Sequence, residues 1–126
     1  MSTWTHFKVT KANDQISVAS VTHPVLLDNE AIERFRLELL AIIVEATSDN
    51  LLVDFARVTR TSTAVINSLL VAKKKLLGSG GDLFLCGLQD AVRHNFRILN
   101  LEGTVFEVFE CKELALEELA LRSSPH

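Results

Sequence analysis

The stretch LLVDFARVTRTSTAVINSLLVAKKKLL, from Leu51 to Leu77, decides the fold. Leu51 to Phe55 is a nearly continuous apolar run broken only by Asp54, the pattern of a central strand covered on both faces. A short polar loop follows and delivers three hydroxyl residues, Thr61, Ser62 and Thr63, to the start of an amphipathic helix. In that helix Ile66, Leu69, Leu70, Lys73, Leu76 and Leu77 recur at helical spacing, and Gly78, Ser79, Gly80 and Gly81 stop it. Strand, hydroxyl-bearing loop and helix together make an α/β unit. Unpaired backbone N–H groups and the positive end of the helix dipole lie where the hydroxyls are, so a phosphate added there is stabilised locally.

The same patterns extend in both directions. Phe7 and Val9, then Ile16 and Val18, alternate with polar residues around Asn13 and Asp14, which reads as a β-hairpin. Beyond Pro24, Asp28 and Asn29 are candidate caps for a first helix with Ile32, Phe35, Leu39, Ile42 and Ile43 on one face, broken by Ser48, Asp49 and Asn50. Leu83 to Cys86 is the strand after the glycines, and Asp90 is the candidate cap of a third helix carrying Val92, Phe96 and Leu99. Val105 to Phe109 reads as a last strand, Lys112 to Leu121 as a terminal helix, and Arg122 to His126 as a frayed tail. The expected order is ββαβαβαβα, an α/β fold with a mixed sheet, parallel where helices cross over.

Composition narrows the function. With 126 residues, 48% hydrophobic and 23% charged, the chain suits one domain, residues 1–126 with a core over about 6–121. A net charge of -3 with interspersed signs offers no basic surface for nucleic acid. The one basic run, Lys73 to Lys75, falls in the last turns of the second helix and reads as a solvated helix end. Two cysteines without a CxxC pair, no signal-peptide pattern and no apolar run longer than Leu37 to Val44 point to a reducing, cytoplasmic setting and no membrane span.

The chain resembles a STAS domain, the fold of bacterial anti-sigma factor antagonists and related regulatory modules. The resemblance covers almost the whole chain. It rests on LLVDF at Leu51 to Phe55, Val58 and Thr59, STA at Ser62 to Ala64, Gly80 and Gly81, and LFLCGL at Leu83 to Leu88, in that order. It implies a non-enzymatic module that binds an anti-sigma factor with serine/threonine kinase activity. In such antagonists the hydroxyl after an Asp, within Asp-Ser-Ser-Gly or Asp-Ser-Thr-Gly, is phosphorylated, and that hydroxyl maps onto Thr63. Here Ser62 stands at the acid position and Val65 at the glycine position. Ser62 is the second candidate acceptor. The partner surface is expected at Thr61, Ser62, Thr63, Asn67 and Ser68, on the exposed side of the second helix. Asp54 is expected to bond the following loop and hold the hydroxyl cluster in place.

Other readings remain beside this one. Ser62 or Thr63 is also the residue type that caps a helix without further purpose. The alternative function is a scaffold subunit of a STAS-based signalling assembly, self-associating and unphosphorylated. Cys86, Asp90 and His94 have the residue types of a catalytic triple, but Cys86 reads as a strand residue and His94 as a polar-face one. His6, His23, His94 and His126 are scattered without metal-ligand spacing, and Gly78 to Gly81 lacks the ending of a phosphate-binding loop. No catalytic residue, metal or cofactor is expected.

Overall fold

The computed structural model describes residues 4–45 and 49–123. The hairpin forms as β1 (Phe7–Lys11) and β2 (Ile16–Val21), antiparallel with Phe7 opposite Val21. Asn13 closes it, its Oδ1 accepting the backbone N–H groups of Gln15 (2.8 Å) and Ile16 (3.0 Å). Helix α1 (Asn29–Glu45) begins after Asp28, whose Oδ1 caps it by accepting the N–H of Ala31 at 2.7 Å. Strand β4 (Asn50–Asp54) then pairs in parallel with β2 on one side and β6 (Asp82–Cys86) on the other. The five-stranded sheet runs β1-β2-β4-β6-β7, where β7 is Val108–Phe109. Of the expected break after α1, Ser48 lies outside the described residues, and Asn50 belongs to the strand.

Alternation along β4 splits the core into two layers. Leu51 and Val53 face Phe35, Leu39 and Ile42 of α1, Ile66, Leu69, Ala72 and Leu76 of α2 (Thr63–Gly78), and Val92 and Phe96 of α3 (Asp90–Ile98). Leu52 faces the other way, with Ile16, Val18 and Cys86, under Ala115 and Leu119 of α4 (Lys112–Ser123). The central-strand pattern is therefore covered on both faces, as a parallel strand requires.

The order is richer than ββαβαβαβα by two short strands, β3 (Val25–Leu26) and β5 (Arg60–Thr61), which pair in parallel as a separate ladder. Two residues are too few for periodicity to show. The last strand is shorter than Val105 to Phe109, because Phe106 is drawn into the core edge-on to Phe96 at 5.7 Å and Glu102 is clamped to α3. Glu102 accepts hydrogen bonds from Arg93 Nε (2.6 Å) and Arg97 Nε (3.0 Å), which hold its carboxyl below the usual range. Asp90 is the first residue of α3 and Gln89 occupies the cap position, so the expected cap is displaced by one residue. Arg122 is not frayed: it lies in α4, pairs with Glu107 and Glu118, and sits over the Phe109 ring. Residues 124–126 lie outside the described residues. Lys73 is not part of a solvated helix end either, since it is half-buried and paired with Asp82, leaving Lys74 and Lys75 exposed.

Gly78 to Gly81 end α2 in a Schellman motif. Gly81 N–H donates to Leu76 O (2.9 Å) and Gly80 N–H to Leu77 O (3.3 Å), with Gly80 at φ +90°. Gly81 is required for a second reason, because a Cβ there would meet the Asp49 carbonyl oxygen at 1.7 Å, whereas one at Gly78 would meet nothing within 4 Å. The same substitution thus has opposite signs three residues apart. In urea unfolding, Gly81→Ala is expected to destabilise by about 3 kcal/mol through overpacking, and Gly78→Ala to stabilise by about 0.5 kcal/mol through helix propensity.

Candidate functional site

The loop from Phe55 to Ser62 is anchored at several points before it reaches α2. The Pro24 carbonyl accepts from Thr59 N–H (2.8 Å), Thr59 Oγ1 (3.1 Å) and Arg60 N–H (3.3 Å). Asn95 Nδ2 of α3 donates to the Thr61 carbonyl at 3.3 Å, and Gln89 Nε2 to the Ala56 carbonyl at 2.8 Å. Neither Asn95 nor Gln89 stood out in the sequence, since a polar residue on a helix face carries no sign of the loop it will meet. Asp54 Oδ1 accepts the Ala56 N–H at 2.9 Å, so it bonds the following loop but makes no hydrogen bond to Thr61, Ser62 or Thr63. Its register partner Cys86 is buried in the α4 layer, and burial, then the neighbouring Asp54 carboxylate, push that thiol well above the ordinary range. The thiol is thus kept protonated. Asp90 and His94 are exposed on α3, which packs on the opposite face of the sheet, so the Cys86, Asp90 and His94 triple is not assembled.

The three hydroxyl residues are presented unequally. Thr61 is 8% exposed, a consequence of its place in β5 opposite Leu26, and Ser62 is half-buried at the cap position of α2. Thr61 Oγ1 and Ser62 Oγ are both buried without a hydrogen-bond partner among the described residues. Ser62 therefore holds the position of a cap without making the side-chain cap bond. Thr63, the first helical residue, is exposed. Val65 is fully buried in the core, which explains a β-branched side chain where glycine was expected. Asn67 is exposed one turn beyond Thr63, but Ser68 is 5% exposed and donates from Oγ to the Ala64 carbonyl at 3.2 Å. Ser68 is thus not on the exposed side. Adjacent helical residues point about 100° apart, so Asn67 and Ser68 cannot both lie on one narrow face. The exposed stripe is Thr63, Asn67 and Val71, at i, i+4 and i+8. No acid lies in the first turn of α2, which leaves its positive end uncompensated.

The sequence profile of the STAS domain family matches residues 8–115. The chain belongs to the STAS domain family. Among solved structures, it is similar to the anti-sigma factor antagonist SpoIIAA in its unphosphorylated form, at 18% identity over 95% of this chain and 99% of that one, TM-score 0.74. A STAS domain protein from Planctomyces limnophilus aligns at 18% identity over 90% of this chain and 97% of that one, TM-score 0.77. A chain of the stressosome, a signal integration and transduction hub, aligns at 17% over 94% and 100% respectively, TM-score 0.70. At these identities the likeness shows the fold. A search of curated protein sequences finds no match. No described helix is long and apolar enough to cross a membrane.

Two of the histidines are brought together. The rings of His6 and His23 stack with centroids 3.7 Å apart, where the hairpin register places Thr22 beside His6. Glu38 of α1, itself buried, accepts from the backbone N–H groups of Thr5 and His6 (both 3.0 Å) and from Thr5 Oγ1 (2.6 Å). With that hydroxyl proton committed to Glu38, His6 Nδ1 is the donor in its 3.0 Å contact with Thr5 Oγ1. The hairpin register brings the two histidines together, since pairing Phe7 with Val21 carries His6 toward Thr22 and His23.

Burial and the neighbouring His23 lower the His6 pKa from 6.5, and Arg34 adds to this, against opposing contributions from Glu38 and Asp28. The folded state therefore binds this proton less readily than the unfolded chain. The associated stability is fully present above the unfolded value of 6.5 and is lost as pH falls from there through the lower folded pKa. The His6 ring resonances are expected to titrate below the free value in NMR, and His6→Gln to flatten the fall in urea stability between about pH 7 and 5. At the helix start, Ser62→Ala is expected to cost less than about 0.5 kcal/mol in urea unfolding, where a working cap would cost about 1 kcal/mol.

Proposed function

We propose that this chain is a non-enzymatic cytoplasmic regulatory domain of the anti-sigma factor antagonist kind. Unmodified, it binds a kinase-type anti-sigma factor through the start of α2, and phosphorylation at Thr63 releases that partner. The observation that carries the reading is Thr63 itself, the exposed hydroxyl at the uncompensated positive end of α2. The rest of the surface supports it. Asn67 and Val71 continue the exposed stripe along the helix. Arg60, beside the hydroxyl cluster, is exposed and has no ion pair among the described residues. Ser62, the second candidate acceptor, keeps its Oγ buried, which leaves Thr63 as the hydroxyl a kinase reaches. Thr61 and Ser68 act beneath this surface rather than on it, given their burial.

A phosphate on Thr63 brings roughly 1.5 to 2 negative charges into a surface that packs against its partner when neutral. A hundredfold change in affinity needs only about 2.7 kcal/mol, within the reach of one charge introduced at an interface. Thr63→Glu is expected to weaken partner binding by at least about tenfold in a calorimetric titration, while Thr63→Val binds as the wild type does. Equal binding by Thr63→Glu and wild type would overturn the switch.

A second reading, a scaffold subunit that self-associates without phosphorylation, draws on exposed apolar side chains on α1 and α2, namely Leu37, Val44, Val71 and Leu77. Light scattering separates the two, because a chain that stays monomeric across micromolar concentrations counts against a scaffold.

A further inference from the structure

A cavity of about 250 Å³ lies at the carboxyl end of β2 and β4, lined by Lys8, Ser20, Thr22, Asp54, Arg57 and Lys112 among others. The sheet register builds its floor. Lys8 lies opposite Ser20 and Ser20 opposite Asp54, which places one cation, one hydroxyl and one carboxylate in a row across three strands. Ser20 shares the face of Ile16 and Val18, the face that α4 covers further along. Arg57 enters from the loop after β4, and Lys112 from the first position of α4.

Lys8, Arg57 and Lys112 have no ion pair among the described residues, whereas Lys73, Arg93, Arg97 and Arg122 do. Edge protection accounts for a lysine on β1, and hydration for an arginine in a loop. Neither accounts for Lys112, which places a cation at the positive end of a helix beside the first-turn acid Glu113. Nor does either account for all three meeting in one concavity. The single carboxylate, Asp54, is already engaged by the Ala56 N–H. Three cations and one anion line this recess, and Glu110 and Glu113 line an adjoining one that shares Asp54, Ala56 and Lys112.

We infer that this cavity is a binding site for a small dianion of the phosphate monoester class, held by Lys8, Arg57 and Lys112. The guanidinium of Arg57 matches two phosphate oxygens, the two ammonium groups supply point charges, and the Ser20 hydroxyl is a further donor. The volume lies just below the roughly 300–1,000 Å³ of pockets for drug-sized ligands, which suits a small molecule. The carboxyl edge of a parallel sheet is also where α/β folds bind ligands. The site does not depend on the Thr63 switch.

The test is an NMR titration of the ¹⁵N-labelled full chain with inorganic phosphate and, separately, with glycerol 3-phosphate, against sodium chloride at matched ionic strength. Saturable shifts are expected at the amides of Lys8, Ser20, Ala56, Arg57 and Lys112, with the ester binding at least as tightly as free phosphate. Arg57→Gln and Lys112→Gln are each expected to weaken binding about fivefold or more, with unchanged urea midpoints. No saturable shift up to about 50 mM, equal shifts with chloride, or unaltered affinity in both variants would overturn the site. Binding of inorganic phosphate without the ester would overturn the assignment to a monoester.

Discussion

The placement of the candidate site depends on β4 being covered on both faces. Leu51 and Val53 belong to the layer under α1, α2 and α3, and Leu52 to the layer under α4. A strand in that position cannot end in a tight hairpin to its neighbour, because β2 and β6 both run parallel to it. Parallel neighbours require crossovers, and crossovers bring the loops after β2, β4 and β6 out along one edge of the sheet. The loop that carries Thr61, Ser62 and Thr63 and the recess beside Asp54 are both products of that edge. Apolar burial of three consecutive side chains thus determines where the polar chemistry can be.

The hydroxyl cluster is locally expensive. A buried polar group without a partner costs about 1–3 kcal/mol, and Thr61 Oγ1 and Ser62 Oγ are two of them side by side. Anchors on the backbone offset this: the Pro24 carbonyl takes three hydrogen bonds from Thr59 and Arg60, and Asn95 holds the Thr61 carbonyl. The β3–β5 ladder adds a second constraint on the same segment. The loop is therefore held at its backbone, while the Thr61 and Ser62 hydroxyls have no partner among the described residues.

Those energetics also show which parts could be read beforehand. LLVDF, the hairpin around Asn13 and the stop at Gly78 to Gly81 rest on strong local rules: a strand buried on both faces, an Asx-type turn and a glycine at positive φ. The family motifs added the position of Thr63. Burial of Thr61 was not legible, because it follows from pairing with Leu26 across a two-residue ladder that leaves no periodic trace. The polarity of Ser68 is no guide to its exposure, because its hydroxyl is satisfied by the Ala64 carbonyl within its own helix and it can face inward. Lys73 stands at helical spacing among apolar residues, and that spacing is a better guide to its burial than its charge, since it pairs with Asp82. The His6 and His23 stack needed the hairpin register, which a turn assigned to within a residue or two does not supply.

The electrostatics at the start of α2 act in two directions, and their sizes decide the outcome. With no acid in its first turn, the helix welcomes negative charge by about 0.3–1 kcal/mol, so a phosphate on Thr63 is mildly stabilising to the free domain. At an interface the same phosphate must be desolvated or expelled, which costs several times more. A switch at this position therefore leaves the fold intact and spends its energy on the complex. Val65 reinforces that separation: fully buried two residues after Thr63, it fixes the helix start to the core, where glycine would leave the backbone freer to move. On the proposed reading, the switch works through surface charge on a fixed scaffold, with no rearrangement of the domain required.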